Sequence, residues 1–529
     1  MSYSSYFYLF VFLEAVFLLW LITPRRFRWA TLLLSSYAFY CISSGKRVIF
    51  LMASTLSVYL AGVVMNRIQS RFDAVRKTLP KEERKLRKAQ VKRRKRTILI
   101  LALVFNFGLL VFLKYFNFLG GTVNGLLDLL GIHAEIPTLK LLMPLGISYY
   151  TLMAASYLID VYRGKYAASA NLGKVALFLS FFPQITEGPI GRFDLLADQL
   201  YEGHPFDYQR TCYGIQLIFW GLFKKLVIAD RANAFVSNVI DNYGDYSGVM
   251  ILLAMLLYTL QIYADFSGCI DIVTGTAQIF GVNLSKNFER PFFSRSVNEF
   301  WQRWHITLGT WLRDYVFYSV SLSKGFLKLS KWARAKLNPF LGSLIPAASA
   351  LFCVWLCNGF WHGASWKYVS YGLYYYVIML AGMLCEPLFR KFFAATSIDR
   401  EGTGWHRFQI ARTFLLVNLG MLLFRAPQFS AWPKMIASIF TGWSLAPLAD
   451  GTVFSLGMDP LDLGLLILGT VTLLVVGILQ EKGHALRQET AALPLPARWS
   501  LYLALILAVI VLGAYGNGYE AIDAIYGQF

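Results

Sequence analysis

Several stretches of this chain stay apolar over about the thickness of a bilayer's hydrocarbon core, and that constrains the fold more than any other feature. Residues 6–22, 48–65, 97–118 and 461–478 each approach the roughly 20 residues that an α-helix needs to cross about 30 Å of lipid. Residues 501–512 are shorter, and Trp499 and Tyr502 extend them as an interfacial anchor. Lipid offers no partners to backbone N–H and C=O groups, so continuous apolar runs satisfy them internally as helices. Barrel strands alternate over about ten residues instead, and these runs do not. Charged residues are 15% of the chain, against about 25% in soluble domains, too few for a large water-facing surface. The sequence predicts an all-α integral membrane protein with roughly ten to thirteen embedded segments.

The formal net charge is +20 and is unevenly placed. Between Arg67 and Arg96 stand 14 Lys or Arg against Asp73, Glu82 and Glu83, a local net of +11. Lying between two apolar runs, this basic segment is explained by the positive-inside rule, with no nucleic acid implied. It is read as cytoplasmic, with attraction to anionic membrane lipids as an accompaniment. Counting back places Arg25, Arg26 and Arg28 inside and the N-terminus outside. The first apolar run reads as a retained span, since no basic start or small-residue cleavage site accompanies it. The six cysteines show no disulfide spacing, and Cys353 and Cys357, one helical turn apart, read as packing residues rather than metal ligands.

Three close spans are expected in residues 1–66, and helix over 81–96, where Pro and Gly are absent. Gly120 and Gly121 are expected to break the fourth span, with a short amphipathic helix over 124–133. Pro144 and Gly146 interrupt the next element, which ends at Asp160–Gly164. The breakers and charge in 181–193 suggest a broken or re-entrant helix, tolerated only under cover of protein or water. The helix over 213–229 is expected to end at Lys224, Lys225 and Asp230-Arg231, and 279–295 to form a loop or re-entrant segment. Residues 297–320 are too charged for an ordinary lipid-facing span, and 324–336 read as a basic linker.

Histidine is scarce here, six residues in all, yet two occur in strongly aromatic, apolar sequence: His305 after Trp301 and Trp304, and His362 after Asn358 and Trp361. An ionisable group at membrane depth is expensive to keep and reads as functional. On one helix Trp301, Trp304, His305 and Leu308 would share a face, and a helix-bridging histidine is the ordinary alternative. His362 stands where Gly359 and Gly363 permit close approach of another chain or ligand, and its imidazole can accept a proton near neutral pH. The sequence contains no Gly-x-Ser-x-Gly, Walker loop or His-Glu-x-x-His, so hydrolase, ATPase and zinc-protease readings lack support. Transfer of an acyl group to a hydroxyl needs one base, polar groups near the developing oxyanion and a dry cavity. His362 would be the base, with His305, Asn358 or Arg303 orienting substrate or stabilising charge.

Seven ordered blocks carry a resemblance: PLGISYY at 144–150, EGPIGRF at 187–193, YADFSG at 263–268, NFERPF at 287–292, EFWQRWH at 299–305, WLRDY at 311–315 and GFWHG at 359–363. In these the sequence resembles the membrane-bound O-acyltransferase (MBOAT) family, in its bacterial branch of alginate O-acetyltransferases and D-alanyl transfer proteins. The resemblance implies a ring of tilted transmembrane helices with re-entrant segments around a central funnel or tunnel. It implies His362 and His305 as catalytic, and Asp265, Asn287, Glu299, Arg303, Trp304, Asn358 and Trp361 as supporting or tunnel-lining residues. It further implies one multi-pass domain over 1–529: N-terminal spans to 66, the basic loop 67–96, a catalytic core over 97–390 and C-terminal spans over 409–529. No metal or permanently bound cofactor is expected. Acetyl-CoA would be the donor substrate, a polysaccharide or cell-wall glycan the acceptor, and an extracytoplasmic acetyltransferase or esterase-like protein the partner, at the bacterial cytoplasmic membrane. Transfer of D-alanine from a carrier protein to teichoic acid keeps the chemistry with another cargo. A transporter or a scaffold of a polymer-export complex would also use broken helices and buried charge.

Overall fold

The computed structural model describes residues 1–132, 134–396 and 398–515. The end of the expected amphipathic helix at His133, and the last part of the 409–529 segment, lie outside the described residues. Among those described, nine helices are long and apolar enough to cross a membrane, so the protein is an all-α, multi-pass membrane protein. Two compact units divide it, one of Met1–Ile215 with Val273–Ser285, the other of Gln216–Ile272 with the described residues from Lys286 onward.

The first unit holds α1 (Tyr8–Ile22), α2 (Arg28–Ser44), α3 (Val48–Val75), α4 (Lys81–Leu129), α5 (Ile147–Arg163), α6 (Leu172–Ser180) and α7 (Phe193–Tyr201). At 1.5 Å per residue α1 is short of a full crossing, and it joins the unit through a ring cluster of Tyr3, Tyr8, Phe12, Phe39 and Phe182. The basic segment is helical over 81–96 as expected, and over 67–75 as well, where a loop was expected. Apart from a short turn before Lys81, it extends α3 and α4 beyond their apolar parts as a helical hairpin. Gly120 and Gly121 do not stop α4, because glycine weakens a helix by only about 1 kcal/mol and apolar neighbours on both sides continue it. Asn106, deep in α4, donates from Nδ2 to Ser57 Oγ at 2.9 Å and to the Ala102 carbonyl at 2.8 Å, which ties α4 to α3.

The break in the helix expected over 181–193 is present. Helix α6 stops at Ser180, and every residue from Phe181 to Gly191 is buried without being helical. This irregular segment is covered closely: Gly146, in the left-handed region at φ 69°, faces the Ile185 carbonyl, where a Cβ would overlap it.

The second unit begins within α8 (Tyr208–Asp241) and contains most of α9 (Gly248–Ile279). There follow α10 (Val297–Arg303), α11 (Ile306–Trp311), α12 (Lys324–Lys336), α13 (Pro339–His362), α14 (Trp366–Ala395), α15 (Thr403–Arg425), α16 (Ala431–Thr441), α17 (Pro460–Glu481), α18 (Leu486–Ala492) and α19 (Leu495–Leu512). The loop expected over 279–295 runs from 280 to 296, relieved by one 3-10 turn. Contrary to expectation, α8 does not end at Lys224, Lys225 and Asp230-Arg231 but runs on to Asp241. It continues through the two lysines by a π-helical stretch, Phe223–Ala229, because both ammonium groups find carboxylates inside the unit. Lys224 lies 2.6 Å from Asp271, and Lys225 lies 2.7 Å from both Asp230 and Asp265.

Candidate active site

Helix α13 is apolar until its last turn, which carries Asn358, Trp361 and His362. It ends at His362 because Gly363 is extended, with φ 166°. A Cβ at Gly363 would stand 2.5 Å from the Tyr368 ring, and one at Gly359 2.6 Å from the Tyr368 carbonyl oxygen. The two glycines let α14 pack directly against the end of α13. The His362 imidazole is 1% exposed, held edge-on among the rings of Trp361 (5.0 Å between centroids), Phe424 (5.2 Å) and Tyr371 (5.5 Å). Asn358, one turn earlier on the same face, is also buried, and its Oδ1 accepts no hydrogen bond among the described residues.

His305 is positioned differently. The single helical face expected for Trp301, Trp304, His305 and Leu308 does not exist, because the chain breaks between α10 and α11 and His305 itself has φ 46°. Such a conformation is uncommon for a non-glycine residue and persists only where surroundings impose it. Here Asn287 imposes it. Its carbonyl accepts the Ile306 N–H at 3.0 Å, and its side-chain Oδ1 accepts the Thr307 N–H at 3.1 Å and the Thr307 hydroxyl at 2.8 Å. The backbone donor identifies that atom as oxygen, so the 3.2 Å contact from His305 Nδ1 is an N–H donated to it. Nε2 then carries the lone pair. His305 lies outside the nine apolar helices, and burial pushes its imidazole down to about 3. At neutral pH it is an uncharged ring that accepts hydrogen bonds.

Both histidines touch one indole: the Trp361 ring lies 5.2 Å from His305 and 5.0 Å from His362, with Phe266 against the far side of His305 at 4.8 Å. The structure thus brings together His362, His305, Asn287, Asn358 and Trp361. Trp304 is buried nearby among Phe288, Phe300 and Tyr263 and supports the break rather than the imidazoles. Asp265 precedes Phe266 on α9 and is committed to Lys225. Glu299 and Arg303 stand apart from the histidines. They pair with each other at 2.8 Å, and Arg303 reaches Glu481 at the end of α17 at 3.2 Å, both partly exposed. Nearby, the hydrogen bond from Lys286 and the charge of Arg290 hold Glu289 below the usual carboxylate range.

A sequence profile of the membrane-bound O-acyltransferase family matches residues 167–337. The chain is 30% identical to "Probable alginate O-acetylase AlgI" of Pseudomonas aeruginosa over 88% of its length and 81% of that protein's. The chain belongs to the membrane-bound O-acyltransferase family. It is an acyltransferase. Other members are similar to it: the peptidoglycan O-acetyltransferase of Helicobacter pylori at 29% identity over 69% of both chains, and the teichoic acid D-alanyltransferase of Bacillus subtilis at 29% over 48% of this chain and 62% of that one. His305 falls inside the profile match and His362 beyond it.

For this O-acyltransferase, sequence reading missed Lys225. At 1% exposure it needs its two carboxylates, since an unpaired buried charge costs several kcal/mol. Thr307 and Tyr371 were missed as well. The available signal was two adjacent lysines inside an apolar run, with acids at Asp230, Asp265 and Asp271. Without a fold, they read equally well as a helix end.

Proposed function

We propose that the protein transfers an acetyl group from a cytoplasmic donor, acetyl-CoA, for O-acetylation of an extracytoplasmic polysaccharide or cell-wall glycan, with His362 as general base. The bacterial cytoplasmic membrane is the setting, and an extracytoplasmic acetyltransferase or esterase-like protein is the partner that completes delivery. The supporting observation is the shared Trp361 ring. It sets two imidazoles of different character beside one another in a dry, aromatic surround, where a base and a neutral hydrogen-bond acceptor divide the work.

In the step itself His362 takes the proton of the attacking hydroxyl as its oxygen bonds to the thioester carbonyl carbon. The carbon–sulfur bond then breaks, and the proton passes to the departing thiolate. His305 Nε2 accepts a hydrogen bond from an amide N–H or a neighbouring hydroxyl of the bound substrates, not the attacking one, and the buried Asn358 Oδ1 accepts another. Loss of a positioned base typically costs 10²–10⁴-fold in rate.

The test is surface-polymer acetylation in cells carrying His362→Ala, with protein level and membrane insertion measured alongside. Acetylation falls to background at normal protein level. Retained acetylation overturns the assignment. The similarity to a D-alanyltransferase supports a second cargo, D-alanine from a carrier protein. Purified protein supplied separately with radiolabelled acetyl-CoA and with D-alanyl carrier protein distinguishes the two.

A further inference from the structure

We infer that the helical hairpin formed by the ends of α3 and α4 holds a binding site for the headgroup of an anionic phospholipid. Between the two helices lies a groove of about 370 Å³, within the range of pockets that hold small ligands. Ile68, Arg71, Phe72 and Val75 line it from α3, and Arg87, Gln90, Val91 and Arg94 from α4. Each set has the spacing i, i+3, i+4, i+7, so each is one continuous helix face. Faces with that spacing usually meet as an apolar seam. Here three of the eight positions are arginine, and like charges brought face to face hold a seam open rather than closing it.

The protein supplies little countercharge. Arg87 pairs with Glu83 at 3.2 Å, but among the described residues Arg71 and Arg94 form no ion pair. The surrounding segment, 67–96, carries a net +11. What the groove offers is therefore specific: two uncommitted guanidinium forks, suited to phosphate oxygens, above a floor of Ile68, Phe72, Val75 and Val91.

Its position selects a lipid over a soluble phosphate. The apolar part of α3 ends near Met65 and that of α4 begins at Thr97, so Ile68 and Arg94 each stand three residues beyond it. That is about 4.5 Å at 1.5 Å per residue, inside a headgroup layer roughly 5–7 Å deep. A phospholipid seated there meets Arg94 first and Arg71 about 4.5 Å farther out, with its glycerol against Ile68 at the membrane end of the groove. The site is independent of the acyl-transfer reading and involves none of its residues.

The full-length protein in phosphatidylcholine nanodiscs is titrated with phosphatidylglycerol, and bound lipid per chain is counted by native mass spectrometry. Wild type takes up phosphatidylglycerol saturably, and Arg71→Gln with Arg94→Gln weakens this roughly tenfold or more. Lys77→Gln with Lys81→Gln, which removes equal charge outside the groove, changes it less than about twofold. Equal loss in both double variants overturns the site in favour of diffuse attraction, and so does the absence of saturable uptake by wild type. Coenzyme A or inorganic phosphate at millimolar concentration leaves the bound lipid in place; displacement by either would make this a soluble-phosphate site. Should the glutamine pair not insert, Arg94→Lys serves: it keeps the charge but not the fork, and is expected to weaken phosphatidylglycerol binding. Unchanged binding in that variant overturns the fork.

Discussion

His305 and His362 are neighbours of the same indole, yet the protein holds them by opposite means. His305 sits on a broken, left-handed stretch of backbone fixed by Asn287, so its tautomer is set and its ring is uncharged. His362 closes a regular helix and is held edge-on by Trp361, Tyr371 and Phe424. Hydrogen bonds to a rigid backbone specify which nitrogen faces a substrate. Ring contacts with Trp361, Tyr371 and Phe424 specify where the His362 imidazole sits. The difference fits one histidine that orients and one that moves a proton.

The largest expected effect breaks this division at the moving proton. His362→Ala and His362→Gln should each lower acyl transfer by about 10²–10⁴-fold, read as turnover of labelled donor by purified protein. Asn287→Ala comes next. It strips three accepted hydrogen bonds from the His305 corner, and buried donors left unpaired cost about 1–3 kcal/mol each. Turnover should fall by up to about 10²-fold through misplacement, with partial recovery in Asn287→Asp, which keeps an acceptor. An Asn287→Ala enzyme at full speed would show that His305 needs no holding.

Away from the histidines, Lys225→Met should lower the unfolding midpoint in detergent, since it leaves Asp230 and Asp265 buried without their cation, at a cost of about 3–5 kcal/mol. A double change, Lys225→Met with Asp265→Leu, should recover much of the loss. The smallest effect is the most discriminating. Because burial keeps His305 neutral, His305→Gln should lower the height of the pH–rate profile without moving its inflection. A shifted inflection would mean that His305, not His362, titrates in the reaction.

Much of this was readable in the amino-acid order. Apolar length predicted helices and membrane crossing, and the scarcity of histidine singled out His305 and His362. Gly359 and Gly363 signalled the close approach of another element at His362, which is α14. Less legible were the features that depend on what stands opposite. His305 reads as helical because Trp301, Trp304 and Leu308 have helical spacing, and only the distant Asn287 reveals that the chain turns there. Glu299 and Arg303 lie within six residues of His305 in sequence, yet the fold turns them toward Glu481.

The sequence by itself determined that this chain is helical, lies in a membrane and carries two histidines in strongly aromatic, apolar sequence, because bilayer thickness and the cost of burying polar groups act on each segment alone. Tertiary structure decided which polar groups meet: Asn287 with His305, Lys225 with Asp265, and Trp361 with both histidines. Those pairings join residues far apart in the chain or on different faces of a turn, and their energy depends on distances of a few ångströms that no local pattern encodes.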